Sequence, residues 1–248
     1  DCLLSRGLGD VYKRQVLGEP VSEIKYVCRN VDIIMARLIK NETVELFGKN
    51  ATVPFINGCD NSYHPCQILA DALTILEKFG TLDVNLMYIG AKNNVFNSHV
   101  EFFSKMKKGT LYGLTPLVNE TACGPDFYEE AKKSGHYIEL DPSMSMEEAK
   151  EYANKMDVLY TDTWVDMEFF NNPAYQKQKE ETLAKMMPYQ LNGDFTKDSK
   201  AIVFHDMPMH VGFEISQDVV DKNLDHILDE AENRRHAEKA VMYTLLNS

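Results

Sequence analysis

Apolar residues fall along the chain in short runs and spaced stripes that alternate. VPFING (Val53 to Gly58) reads as a short buried strand leading to a turn. Ile68, Leu69, Ala72, Leu73 and Leu76 then recur at helical spacing. Ser62 is the predicted cap of that helix, Pro65 lies in its first turn and Gly80 stops it. VNLMYIG (Val84 to Gly90) is almost wholly apolar, as in a parallel strand covered on both faces. Further strands are predicted at Thr110 to Leu114, Tyr137 to Leu140, Asp157 to Asp162 and Ala201 to His205. Helices are predicted over Glu23 to Ile34, His99 to Met106 and Glu230 to Leu246. Two more run from Pro125 to a stop at Gly135, and from a Ser145–Glu148 capping box to Asn154. Strand alternating with helix predicts the α/β class, with parallel sheets and right-handed crossovers. The alternation is clearest from Leu82 to Phe204. The segment before it and the last helix are read as a second unit.

Composition narrows the function classes. The 248 residues suffice for one large or two modest domains. A net charge of -12 and a pI of about 5.0 speak against a general nucleic-acid binder, though a local phosphate site needs only a few cations. No apolar run reaches the roughly 18 residues of a membrane span. Five cysteines at irregular spacing suit reduced thiols in a cytoplasm better than a disulfide framework. Residues 1–15 (DCLLSRGLGDVYKRQ) show neither an amphipathic period nor a signal-peptide pattern and resemble translated adapter sequence. They are read as a non-native leader, with the natural protein starting upstream of Val16.

Polar clusters sit where strands end, which is where open parallel sheets bind ligands. They are GAKNN (Gly90 to Asn94), Asp162 with Trp164, HDMP (His205 to Pro208), and HPCQ (His64 to Gln67) at a helix N-terminus that favours anions. Singly each is weak: a lone histidine there is usually a cap, and a lone aspartate after a strand a turn residue. Cys59, His64 and Cys66 lie close enough to raise a metal site, but there is no C-x-x-C pair and no evident fourth ligand, so no metal is expected. GAKNNVF is not the G-x-G-x-x-G loop of a dinucleotide enzyme. A Cys66 nucleophile paired with His64 or His205 competes with the simpler reading of Cys66 as a packing residue.

As an ordered set, HPCQ-ILAD, the NN and NS of Asn93 to Ser98, YTDTW, HDMP and EAENRRH (Glu230 to His236) resemble the ornithine carbamoyltransferase family, whose elements read HPxQ, NN, YTDVW, HCLP and QAENRxH. The resemblance runs from about Val16 to the C-terminus. It implies two parallel-sheet α/β domains of the aspartate/ornithine carbamoyltransferase fold, with the site in the cleft between them. The first domain (residues 16–80, incomplete and joined by helix 230–248) would bind carbamoyl phosphate, and the second (81–229) a cationic amino acid or amine. It further implies a cytoplasmic homotrimer in amino-acid and arginine metabolism that needs no cofactor. By that resemblance Arg37 holds carbamoyl phosphate oxygens, His64 and Arg234 polarise the carbonyl, and Gln67 and the Met207 carbonyl face the carbamoyl NH2. Asn94, Asp162 and Met167 match positions that bind the acceptor. Three departures stand out. The S-T-R-T-R phosphate motif is absent, Asp206 replaces the cysteine of HCLP, and DME (Asp166 to Glu168) replaces SMG. The added acids predict a cationic acceptor, with Asp206 orienting the amine or taking its proton. The alternative is a non-catalytic binding protein that keeps the fold.

Overall fold

Two parallel sheets carry the chain. The computed structural model describes residues 19–165 and 170–248. Helix α1 (Pro20–Cys28), strand β1 (Ile34–Arg37), helix α2 (Asn41–Asn50) and strand β2 (Phe55–Cys59) come first, and β1 and β2 pair in parallel. Ile34, predicted to end a helix, instead opens β1. Ile34 and Ala36 are buried and alternate with less buried neighbours, the period-two signature of a strand. With Ile24, Val44 and Phe47 they form a small core of their own. The sequence pattern had predicted neither β1 nor α2.

Helix α3 (Pro65–Phe79) leads into β3 (Asn85–Lys92), α4 (Asn94–Met106), β4 (Thr110–Val118), α5 (Pro125–Lys133), β5 (Tyr137–Glu139), α6 (Met146–Ala153) and β6 (Val158–Thr161). After α7 (Gln176–Met186), also unpredicted, come β7 (Ile202–His205) and the 30-residue α8 (Gln217–Leu246). The five strands order as β5-β4-β3-β6-β7, all parallel. The near-continuous apolar run predicted for β3 makes it the central strand, covered on both faces. Tyr88, Phe96, Leu111, Tyr160 and Phe204 pack on one face. Met87, Ile89, Leu159, Val203 and Ile227 pack on the other. Each such side chain stabilises the fold by about 1.5–3 kcal/mol. The Ser145–Glu148 capping box forms as predicted. Among the described residues no helix is long and apolar enough to cross a membrane.

Two helices depart from the sequence reading in ways that build the site. The cap of α3 is His64 rather than Ser62, whose backbone N–H instead donates to Asp60 Oδ1. Only part of its predicted stripe faces inward: Ile68 and Ala72 are buried and Leu73 half-buried, but Leu69 and Leu76 are exposed, while Gln67, Asp71 and Thr74 are buried. The polar side turns in because α8 supplies partners. Asn233 Nδ2 donates to Thr74 Oγ1 at 3.0 Å and to Glu77 Oε2 at 2.7 Å. Helix α8 begins at Gln217, well before Glu230; its cap Ser216 bonds Asp218 and not the helix backbone, a weak start signal in the sequence. At about 1.5 Å per residue it is roughly 45 Å long. Its first half packs on the five-stranded sheet through Val219, Val220 and Ile227, and its second half packs on α3.

Gly109 turns the chain into β4 with φ +66°, and a Cβ there would meet the Val84 carbonyl oxygen at 2.3 Å. Gly109→Ala is therefore expected to destabilise by about 1–3 kcal/mol. A thermal melt should show a midpoint several degrees lower, and an unchanged midpoint would contradict this packing.

Candidate active site

The carboxyl ends of β1, β2, β3, β6 and β7 and the middle of α8 present the polar groups. The N-termini of α3 and α4 meet there. His64 N–H donates to Ser98 Oγ at 2.7 Å, and that hydroxyl donates to the Asn94 carbonyl at 2.8 Å. Asn94 Nδ2 donates to the Asp60 carbonyl at 2.8 Å and lies 3.4 Å from Cys59 Sγ. Asn97 Nδ2 holds the Ser62 carbonyl at 2.9 Å. Thus the NN and NS residues clamp the loop before HPCQ, and two helix N-termini give the region a positive potential. Asn93 caps α4 and passes Nδ2–H to Asp162 Oδ2 at 2.7 Å.

Arg234 organises the centre. Its Nη2 donates to His64 Nε2 at 2.7 Å and to Asp206 Oδ1 at 3.0 Å. Its Nε is buried with no hydrogen-bond partner among the described residues. A guanidinium only donates, so His64 Nε2 accepts and the ring proton sits on Nδ1. The 3.4 Å contact from Gln67 N to Nδ1 is then no real bond, and that N–H is satisfied by the His64 carbonyl at 3.2 Å. Burial first, then Arg234 and Arg37, push the His64 imidazole down to about 3. It is neutral at physiological pH. Arg37 ends β1 exposed, opposite Cys59.

Gln67 is 1% exposed, and its NH2 end is committed to Asp71 Oδ1 at 2.9 Å and to Glu230 Oε1. Two carboxyl acceptors settle which end of the amide is nitrogen, and so fix where Oε1 lies. His205 is fully buried. Nδ1 accepts the Met207 N–H at 2.9 Å, so its proton is on Nε2, which donates to Glu214 Oε1 at 3.1 Å. This histidine locks the HDMP turn, where Met207 has φ +52°. Burial and the nearby Asp162 hold the Asp206 carboxyl well above the usual carboxylate range, against the pull of Arg234 and Arg37. Burial also raises Asp162, against His205 and the bond from Asn93.

Arg37, His64, Asp206 and Arg234 therefore act on one another, with Gln67 and Met207 held beside them. Asn94 and Asp162 are tied into structural bonds at the rim. Asp166 and Met167 lie outside the described residues. Cys59, His64 and Cys66 point to different partners, since Cys66 Sγ donates to the Asn57 carbonyl at 3.6 Å. The sequence reading missed Asp71, His99, Glu214 and the bridging role of Glu230. The one legible signal was Asp71, a charge four residues after Gln67 on a helix otherwise rich in apolar residues.

A family model described as the Asp/Orn binding domain of aspartate/ornithine carbamoyltransferase matches residues 82–245, and one described as its carbamoyl-P binding domain matches residues 12–77. An ornithine carbamoyltransferase of Archaeoglobus fulgidus is 34% identical over 236 residues, spanning 92% of this chain and 71% of that protein. One of Pyrococcus horikoshii is 37% identical over 246 residues, spanning 92% and 70%. The solved ornithine carbamoyltransferase of Pyrococcus furiosus superposes with a TM-score of 0.79 at 33% identity, over 94% of this chain and 72% of that one. Fold, cleft and matches together define a transferase of the carbamoyltransferase class. The chain belongs to the aspartate/ornithine carbamoyltransferase family, as an ornithine carbamoyltransferase-like member.

The electrostatics predict a titration. In the intact chain His64 should stay neutral down to about pH 3. In Arg234→Gln its pKa should rise, yet remain below 6.5 because burial is the larger cause. NMR titration of the imidazole checks this, and a His64 pKa near 6.5 in the intact chain would contradict it.

Proposed function

We propose that the chain moves the carbamoyl group of carbamoyl phosphate to a cationic amino acid or amine of the ornithine type, giving a ureido product and phosphate. The observation that carries this reading is Arg234. Its Nη2 is bonded to His64 Nε2, and its buried Nε–H has no acceptor among the described residues. A carbonyl oxygen inserted between the two would meet the guanidinium cation and, once the ring proton moves from Nδ1 to Nε2, an imidazole N–H.

The chemistry follows. A neutral amine attacks the carbonyl carbon, a C–N bond forms, and negative charge grows on the oxygen. Arg234 and His64 stabilise that charge, and one lost donor of this kind costs about 3–4 kcal/mol. The C–O bond to phosphate then breaks, and the extra proton on the attacking nitrogen passes to the departing phosphate. Arg37, whose planar fork suits phosphate oxygens, and the N-terminus of α3 take up the charge on the leaving group. Gln67 Oε1 and the Met207 carbonyl accept from the carbamoyl NH2, so the group cannot rotate. Asp206 bonds Arg234 through Oδ1 alone, and Oδ2 has no partner among the described residues. That oxygen is placed to orient the incoming ammonium and take its proton. Asn94, Asp162, Asp166 and Met167 are assigned to the acceptor side. The assigned domains are residues 16–80 with 230–248 for carbamoyl phosphate, and 81–229 for the amine. The family likeness also supports a homotrimer in the cytoplasm that serves arginine metabolism.

The test is ureido-product formation with ornithine, lysine, putrescine, agmatine and aspartate. It should be run on this chain. Product with a cationic acceptor and none with aspartate is expected. Arg234→Ala should lower kcat by about 10²–10³, and Asp206→Cys should change the amine preference. Product from aspartate alone, or an Asp206→Cys enzyme with unchanged preference, would overturn the reading of the pocket.

A further inference from the structure

Beneath the Arg234–His64 pair lies a buried acid cluster that the transfer itself does not use. Two carboxyl groups converge on Gln67 Nε2: Asp71 through Oδ1 at 2.9 Å, and Glu230 through Oε1. The Tyr160 hydroxyl is 3.4 Å from the same nitrogen. Glu230 Oε2 accepts the His205 backbone N–H at 2.9 Å. Asp71 Oδ2 is 3.2 Å from His99 Nε2, and His99 Nδ1 donates to the Val95 carbonyl at 3.0 Å. Since Nδ1 carries the ring proton, a neutral His99 would turn a lone pair toward Asp71. Gln67, Asp71, His99, Tyr160 and Glu230 are each at most 2% exposed. Among the described residues no lysine or arginine bonds to the cluster. With no lysine or arginine on them and with Asp71 Oδ2 and His99 Nε2 both left without a hydrogen-bond partner among the described residues, two adjacent buried carboxylates are strongly unfavourable when both are ionised, and a shared proton relieves them.

We infer that Asp71 and Glu230 share a proton, and that the Glu230 carboxyl is a positioning residue. It holds the Gln67 amide with one oxygen and the His205–Pro208 turn with the other. Glu230 stands where the family motif quoted above carries glutamine, so the acid pair is a feature of this chain. The positioning role rests on the carbamoyl phosphate reading; the proton does not. The groups facing the pair are Gln67 from α3, His99 from α4 and Tyr160 from β6. From the end of β7 come the His205 backbone and Asp206, which carries Arg234 of α8 as its own ion-pair partner. Burial and Asp71 raise Glu230 well above the usual carboxylate range.

The sign follows from linkage. An acid with a raised folded pKa keeps its proton where the unfolded chain has lost it, so its contribution to stability is present at low pH and lost as pH rises. Thermal melts of the full chain and of Glu230→Gln, from about pH 5 to about pH 9, should show the variant's advantage growing with pH. Infrared spectra at neutral pH should show a protonated-carboxyl band that Glu230→Gln removes. Asp71→Asn should flatten the pH slope partly, and carries the comparison if Glu230→Gln does not fold. Carbamoyl phosphate binding should weaken at alkaline pH in the intact chain, and less in Glu230→Gln. A melting difference constant with pH, or no such band, would overturn the shared proton. A pH slope with the band present, but no carbamoyl phosphate binding by either protein at any pH, would uphold the proton and overturn the function reading.

Discussion

The contact between α3 and α8 is what the rest of the structure depends on. Helix α8 lies against the five-stranded sheet at one end and against α3 at the other, so it sets how the two sheets meet. The seam is polar. Gln67, Asp71 and Thr74 on α3 meet Glu230 and Asn233 on α8, all buried. Buried polar groups demand partners at fixed geometry, so this seam specifies one register where an apolar one would tolerate several. That register brings Arg234, one turn beyond Glu230, to His64 and Asp206.

Charge at the site is finely balanced. Arg234 and Arg37 face Asp206 and Asp162, with a neutral histidine between them. Arg37 is exposed and Arg234 partly so, which leaves both cations in reach of an entering substrate. On the proposed function the same acids would disfavour an acidic acceptor and favour a cationic one, so one group of side chains would set both substrate class and catalytic power.

Much of the fold was legible from the alternation of apolar runs. The central strand β3, the capping box of α6 and the glycine stop of α3 all lie where their chemistry predicts. What could not be read were elements whose burial depends on distant partners. The apolar stripe of α3 showed only part of the buried face and missed its polar part, because Gln67 gains its Glu230 partner from a helix some 160 residues later. Strand β1 is four residues long and leaves only two alternating positions to see. His64, Gln67, Arg234 and the HDMP turn were legible through their resemblance to a family. Asp71 showed only as a lone charge on an apolar-rich helix, and His99 and Glu214 were not legible, since each looks like an ordinary polar residue until the fold brings its partner.

On the proposed function, Arg234 and His64 together polarise the carbamoyl carbonyl. The most direct measurement is the 13C resonance of carbamoyl phosphate labelled at its carbonyl carbon, recorded free and bound. Two donors pulling on the oxygen deplete the carbon of electrons. The account therefore predicts a clear downfield shift on binding, reduced when Arg234 is replaced by glutamine. Tight binding with an unshifted carbonyl resonance would contradict it.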